Sequence, residues 1–238
     1  MLRLDGVSKN FAGLQAVKEV SFEIQKGEVV GLIGPNGAGK TTLFNLISGF
    51  MKPNKGKIFF KEKDLRVLKP HEICRLGLTR TFQIVQPFKN LTIFENILIG
   101  ALNKLNSFTK AISTTNEIID LVGFAKAQKR YGIDLNIVES KKLEIAKALS
   151  TKPTLLLFDE IMAGLNPTEV QQVIELLIKL NKNGITLLVI EHNMRAIMSV
   201  SHRLVVLNYG VKIYEGSPER ALKESAVIDA YLGEEINA

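Results

Sequence analysis

The chain has 238 residues, 46% of them hydrophobic and 23% charged, which excludes a disordered protein and suits one domain carrying a sizeable insertion. A net charge of +7 favours anionic company such as nucleotide phosphates, nucleic acid or an acidic membrane face, although the charges are scattered as on a solvated surface. Cys74 is the only cysteine, so an intrachain disulfide is excluded and a reducing compartment is expected.

The opening MLRLDGVSKNF lacks the apolar run of a signal peptide, and no run reaches the length of a membrane span, so any membrane role is expected to be peripheral. LRLDGV and VSFEI alternate apolar and polar residues as half-buried strands do. QKGE reads as a turn and VVGLI as a short, buried parallel strand. A glycine-rich loop and the helix KTTLFNLISG follow, then KPNKGKIFF as a turn into an edge strand. From about Leu91 to Ser150 the strand signals fade. TIFENILIGAL, STTNEIIDLVGF and ESKKLEIAKAL carry helical spacing, joined by polar segments such as NKLNSFTK, and predict a helical insertion. Strand and helix then alternate again through TLLLFDE, NPTEVQQVIELLIKLNKNG and ITLLVIEH. RLVVLNYGVKIYEG predicts a hairpin through NYG, and SPERALK a helix capped by Ser217 with Pro218 in its first turn.

GPNGAGKT, Gly34 to Thr41, fits the pattern G-x-x-x-x-G-K-[ST] between a predicted buried strand and a helix. Glycines let backbone N–H groups curl around phosphate oxygens, and the helix start adds its dipole. The candidate nucleotide-binding residues here are Gly34, Asn36, Gly37, Ala38, Gly39, Lys40, Thr41 and Thr42. Lys40 is placed to reach the β- and γ-phosphates, and the Thr41 hydroxyl to ligate Mg²⁺. LLLFDE supplies the second element of such a site, with Asp159 for the metal and Glu160 to polarise an attacking water.

In order and spacing, GPNGAGKTTLFNLISG, TRTFQ, LLLFDEIMAGLNP and VIEHNM resemble the ATP-binding subunits of ABC transporters over essentially the whole chain. The resemblance implies ATP and Mg²⁺ as cofactors. It gives Gln83 the sensing of Mg²⁺ and of the transmembrane partner, His192 the γ-phosphate, and Phe11 the adenine, with Val17 nearby. Thr41, Gln83 and Asp159 are then the metal set, and Glu160, His192 and Gln83 the hydrolytic set. Three scattered histidines do not make a zinc site. The implied fold class is α/β: a phosphate-loop core with a mainly parallel sheet, an N-terminal antiparallel β-subdomain and an inserted helical subdomain. The core with its β-subdomain is expected at 1–84 and 151–238, and the helical part at 85–150.

GLTRTFQIVQPFKNLTIFENILIGAL, KKLEIAKAL, AGLNP and VIDAYLG are similar to the branched-chain amino-acid importers among ABC subfamilies, while lipopolysaccharide-transport ATPases share much of the pattern. Such a resemblance implies a peripheral ATPase at the cytoplasmic face of the membrane, beneath two transmembrane permease subunits fed by an extracytoplasmic solute-binding protein. It implies a head-to-tail dimer with a second ABC ATPase subunit, identical or not, and no nucleic-acid partner. A permease helix is expected near QIVQPFKN, through Ile84, Val85 and Phe88.

The chain also departs from the family's pattern. Ile161 stands where proline is common, and Asn166 where many members carry aspartate. Aligned through LEIA, the family's L-S-x-G-Q signature falls on Leu135, Asn136, Ile137, Val138 and Glu139. Asn136 keeps a donor for a γ-phosphate bound by the partner ATPase. Val138 puts a branched Cβ where glycine allows close approach, and Glu139 brings negative charge toward a triphosphate. Ser140 is a substitute donor if the register slips. Two readings stay open: a transport ATPase whose rebuilt signature works in trans, or a regulatory subunit offering a weak signature within an asymmetric heterodimer.

Overall fold

A computed structural model describes residues 1–82 and 86–235. The first part of the chain forms β1 (Leu2–Phe11), β2 (Leu14–Ile24), β3 (Val29–Ile33), α1 (Lys40–Ile47), β4 (Lys55–Phe60) and β5 (Lys63–Asp64). Next come α2 (Pro70–Leu76), β6 (Leu78–Arg80), α3 (Ile93–Lys104), α4 (Phe108–Val122) and α5 (Ile137–Ser150). Then follow β7 (Leu155–Asp159), α6 (Pro167–Lys182), β8 (Thr186–Ile190) and α7 (Met194–Val200). The hairpin β9 (Arg203–Asn208) and β10 (Val211–Gly216) leads to α8 (Pro218–Ala221) and α9 (Ser225–Glu235).

Two sheets result. One is antiparallel, in the order β2-β1-β4-β5. The other runs β10-β9-β3-β8-β7-β6, parallel throughout except for β10 at its edge. β3, β7 and β8 are buried along their whole length. Their sequences are continuous apolar runs because helices cover one face and the other sheet covers the opposite one.

Alternation along each strand divides the interior into two cores. Val30, Leu32, Leu157 and Leu188 pack with Leu43, Phe44 and Ile47 of α1 and with Leu2, Leu4 and Ile58 of the antiparallel sheet. Val29, Ile33, Phe158 and Val189 point the other way, to a core shared with Ile97 of α3, Ile119 of α4, Leu143 and Ile145 of α5 and Leu177 of α6. The helices from α3 to α5 thus close one face of the sheet whose strand ends carry the phosphate loop and the acids.

Three local features differ from the sequence expectations. β4 is not an edge strand, because the two-residue β5 pairs outside it through Phe59 with Asp64 and Phe60 with Lys63. Ser217 precedes α8 without a side-chain cap; its carbonyl instead accepts the Tyr214 hydroxyl at 2.9 Å. α2 and β6 are additional elements, the latter only three residues long and docked in register on β7. Among the described residues no helix is long and apolar enough to cross a membrane.

Candidate nucleotide site

The loop between β3 and α1 is seated on main chain. A Cβ on Gly34, at φ +148°, would lie 2.1 Å from the Leu207 carbonyl oxygen, and one on Gly39, at φ +100°, 2.4 Å from that of Ala16. Only glycine fits at both places. The turn of the last hairpin braces the loop, with the Gly210 N–H donating to the Ala38 carbonyl at 3.0 Å and the Lys18 N–H to the Gly210 carbonyl at 2.8 Å. α1 starts without a side-chain cap and without an acid in its first turn, so its leading N–H groups suit an anion. Lys40 is buried, its Nζ donating to the carbonyls of Gly34 at 2.6 Å and Pro35 at 2.8 Å.

A cavity of about 330 Å³ opens over this loop, lined by Phe11, Leu14 and Ala16, by the loop from Asn36 to Thr42, and by Glu160 and His192. Phe11 is 39% exposed, a flat apolar face at the rim with the Lys9 ammonium 5.4 Å from its ring centre. Val17 does not line the cavity. It is fully buried in the core, because residues alternate along β2 and Ala16 holds the facing position.

β7 ends at Asp159 and Glu160 follows it, the two acids having opposite surroundings. Asp159 is 2% exposed and its Oδ2 accepts from Arg80 Nη2 at 2.6 Å, while Arg80 Nη1 donates to Asn45. Burial pushes the Asp159 carboxyl up, with the Arg80 guanidinium opposing. Among the described residues its Oδ1 is buried without a hydrogen-bond partner. Asp159 and Thr41 border a second cavity of about 530 Å³, which also meets Arg80, Phe82, Gln86, Glu144 and Lys147; Thr41 belongs to both. A buried carboxylate oxygen and a threonine hydroxyl bordering one cavity are hard oxygen donors of the kind that fits Mg²⁺.

Glu160 has φ +51°, uncommon for a residue with a side chain, and its N–H donates to the Ile190 carbonyl at 3.0 Å. That turn aims its carboxylate into the cavity, where Oε1 lies 2.8 Å from His192 Nε2. The parallel pairing of Asp159 with Ile190 brings His192 to it from the next strand. Gln83, like Ile84 and Val85, lies outside the described residues.

The stretch from Leu135 to Glu139 is a helix start in the register that puts Asn136 at the cap. Asn136 Oδ1 accepts from the Glu139 N–H at 2.9 Å, and the Asn136 N–H donates to Glu139 Oε2 at 3.0 Å. Ser140 already belongs to the first turn, donating its N–H to the Asn136 carbonyl. Arg130 forks onto both Glu139 oxygens, and this hydrogen bonding holds the Glu139 carboxyl below the usual carboxylate range against the opposing effect of burial. Asn166 is occupied in the same manner, capping α6 through the Glu169 N–H at 3.0 Å. A depression of about 480 Å³ joins Asn136 and Val138 to Gly164 and Leu165.

Arg80, Arg130 and Lys141 are site residues the sequence reading passed over. Arg80 sits inside TRTFQ, yet nothing local ties it to an acid 79 positions away.

A family model described as ABC transporter matches residues 17–163. The high-affinity branched-chain amino acid transport ATP-binding protein LivG of Escherichia coli (strain K12) is 38% identical, over 98% of this chain and 98% of its own. A probable branched-chain amino acid transport ATP-binding protein, LivG of Archaeoglobus fulgidus, is 35% identical over 98% of this chain and 95% of its own. Among solved structures, a nucleotide-free ATP-binding cassette from an ABC transporter superposes with a TM-score of 0.88 at 31% identity, covering 97% of this chain and 98% of that one.

Proposed function

Because this chain belongs to the ABC transporter family and is an ATPase of that family, we propose that it is the ATP-binding subunit of a branched-chain amino-acid importer. In this reading it is a peripheral subunit at the cytoplasmic face, beneath two permeases and paired head to tail with a second ABC ATPase. The observation that carries the solute class is similarity along 98% of both chains to a protein named for branched-chain amino-acid transport.

The site residues divide the work. Phe11 stacks on the adenine, and backbone N–H groups from Asn36 to Thr42 cradle the phosphates. Lys40 exchanges the loop carbonyls it now holds for phosphate oxygens. Thr41 and Asp159 hold Mg²⁺, with Gln83 assigned to the same set; when bound, the ion neutralises charge on the β- and γ-phosphates. Glu160 orients and polarises the attacking water, and His192 fixes that carboxylate while reaching the γ-phosphate. Asn136 serves the nucleotide of the partner ATPase. The unit at 85–150 moves against the core at 1–84 and 151–238, and half-exposed Phe88, at 49%, meets a permease. The capped, ordered start of α5 favours a working signature over a purely regulatory role.

The test is to isolate the native complex from membranes, identify its subunits and measure ATP-dependent uptake of leucine, isoleucine and valine in vesicles. Two permeases should co-purify, and Glu160→Gln should abolish uptake. A complex lacking permeases, or one that moves a lipid instead, overturns the assignment.

A further inference from the structure

The segment just after Glu160 is gripped from two sides by charged groups that the hydrolytic set does not contain. Lys141 is on α5, five residues past the Asn136 cap, and only 7% exposed. Its Nζ donates to the Ile161 carbonyl at 2.8 Å and also to the Ala163 carbonyl. From the other side Glu191, 3% exposed and one residue past the end of β8, accepts the Met162 N–H at 2.8 Å. Three successive residues are therefore held in alternation, by a cation from the helix and a carboxylate from the strand. The Ile161 and Met162 side chains are buried as well. On one side of this segment lies Glu160 at φ +51°, and on the other Gly164 at φ +74°, leading to the cap of α6.

Burying an ammonium and a carboxylate is unfavourable, and an apolar pair of similar size commonly packs as stably. What this pair supplies is position. Lys141 sits about 7.5 Å along the helix axis from Asn136, so the two move as one rigid body. Any displacement of α5 is passed by Lys141 to the main chain behind Glu160. Glu191 ties that same main chain to the strand end that carries His192.

We propose that Lys141 and Glu191 are positioning residues that couple the tip of α5, the part offered to a partner ATPase, to the Glu160–His192 pair of this chain's own site. Engagement of Asn136 by the partner's nucleotide then sets the Glu160 carboxylate for hydrolysis here. The proposal rests on the role given above to Glu160 and on the paired arrangement.

The experiment uses the intact transporter complex, with ATP hydrolysis, fluorescent-nucleotide affinity and thermal unfolding measured on each variant. Lys141→Met should lower kcat at least tenfold, with KM for ATP and nucleotide affinity within about twofold of wild type. Lys141→Arg should restore most of the rate, because a guanidinium can still donate to both carbonyls. Combined with Asn136→Ala, Lys141→Met should lose little more than the larger single loss, as residues acting in one relay do. A kcat for Lys141→Met within twofold of wild type, or losses that multiply in full with Asn136→Ala, overturns the proposal. If Lys141→Met fails to fold, Lys141→Gln, able to reach one carbonyl, carries the same comparison. Glu160→Gln is run beside them. If that variant still hydrolyses ATP, the role of Glu160 fails; if it is inactive while Lys141→Met is not, only the coupling fails.

Discussion

α1 and α5 both start where the functional reading puts phosphate, and their first turns are built in opposite ways. α1 is preceded by Gly39, carries no acid in its first turn and buries Lys40 beside the loop. Its positive end is left to a ligand. α5 is closed on itself by Asn136 and Glu139, with Arg130 locking the carboxylate in place. There the helix dipole already has its anion, and the cap contributes about 1 kcal/mol to keeping the turn formed. One start is specialised for binding, the other for holding a shape that a second subunit meets. The negative charge of Glu139 is thus directed at its own helix and at Arg130, and the contact left to the tip is the Asn136 side chain.

The largest effect should come from breaking the open start. Lys40→Ala should lower ATP hydrolysis at least about a hundredfold and abolish nucleotide binding by the isolated subunit, read by fluorescent-nucleotide titration. Asn136→Ala should reduce hydrolysis by the assembled dimer about tenfold while leaving the isolated subunit's nucleotide affinity unchanged. Loss of the cap should also lower Tm by about 3 °C. If Asn136→Ala weakens binding in the isolated subunit as Lys40→Ala does, the contrast between the two starts is wrong. Glu139→Gln keeps a capping partner and removes a charge that Arg130 already holds, so dimer hydrolysis should stay within about twofold of wild type. A larger fall in rate would mean the carboxylate itself takes part.

The smallest effect concerns stability and compares two glutamates. Burial pushes Glu191 up to about 7, opposed by the Met162 N–H and Lys141 and reinforced by Glu160, with the His192 N–H also facing it. Between pH 4.5 and 7 the folded protein therefore holds a proton at Glu191 that the unfolded chain has released, and stability falls as pH rises through that window. Glu191→Gln should flatten this slope, a difference of about 3 °C in Tm between pH 5 and 7.5. Glu139, held low, has the opposite sign: its contribution is present above the ordinary carboxylate pKa and is lost as pH falls. A Glu191→Gln protein with an unchanged pH slope would remove the strand-end carboxylate from this comparison.

What the sequence disclosed was contiguous in the chain. The phosphate loop, the acids after an apolar strand and the histidine after the next one each sit on a few neighbouring residues whose burial pattern announces the element. The Arg80–Asp159 pair and the Lys141 grip on Ile161 and Ala163 join residues 79, 20 and 22 positions apart, and nothing local in Arg80 or Lys141 names its partner. β6 was invisible because three residues carry no alternation to read. Val17 was misplaced by one residue, which on a strand means the opposite face. Sequence alone presents Glu139 as a carboxylate facing a triphosphate, whereas a capping partner three residues upstream and an arginine nine residues upstream already hold it.

The bracing of the phosphate loop by Ala16, Gly210 and Leu207 has a bearing on descent. Each of those contacts is between main-chain atoms, so the position of the loop is indifferent to most of the side chains that β2 and the last hairpin happen to carry. Sequence drift across the surrounding strands leaves the seat where it was, provided a few glycines persist. A cassette sharing only 31% of its residues with this chain still superposes with a TM-score of 0.88. What fixes such a seat is a path of backbone, which most of the side chains around it leave undisturbed.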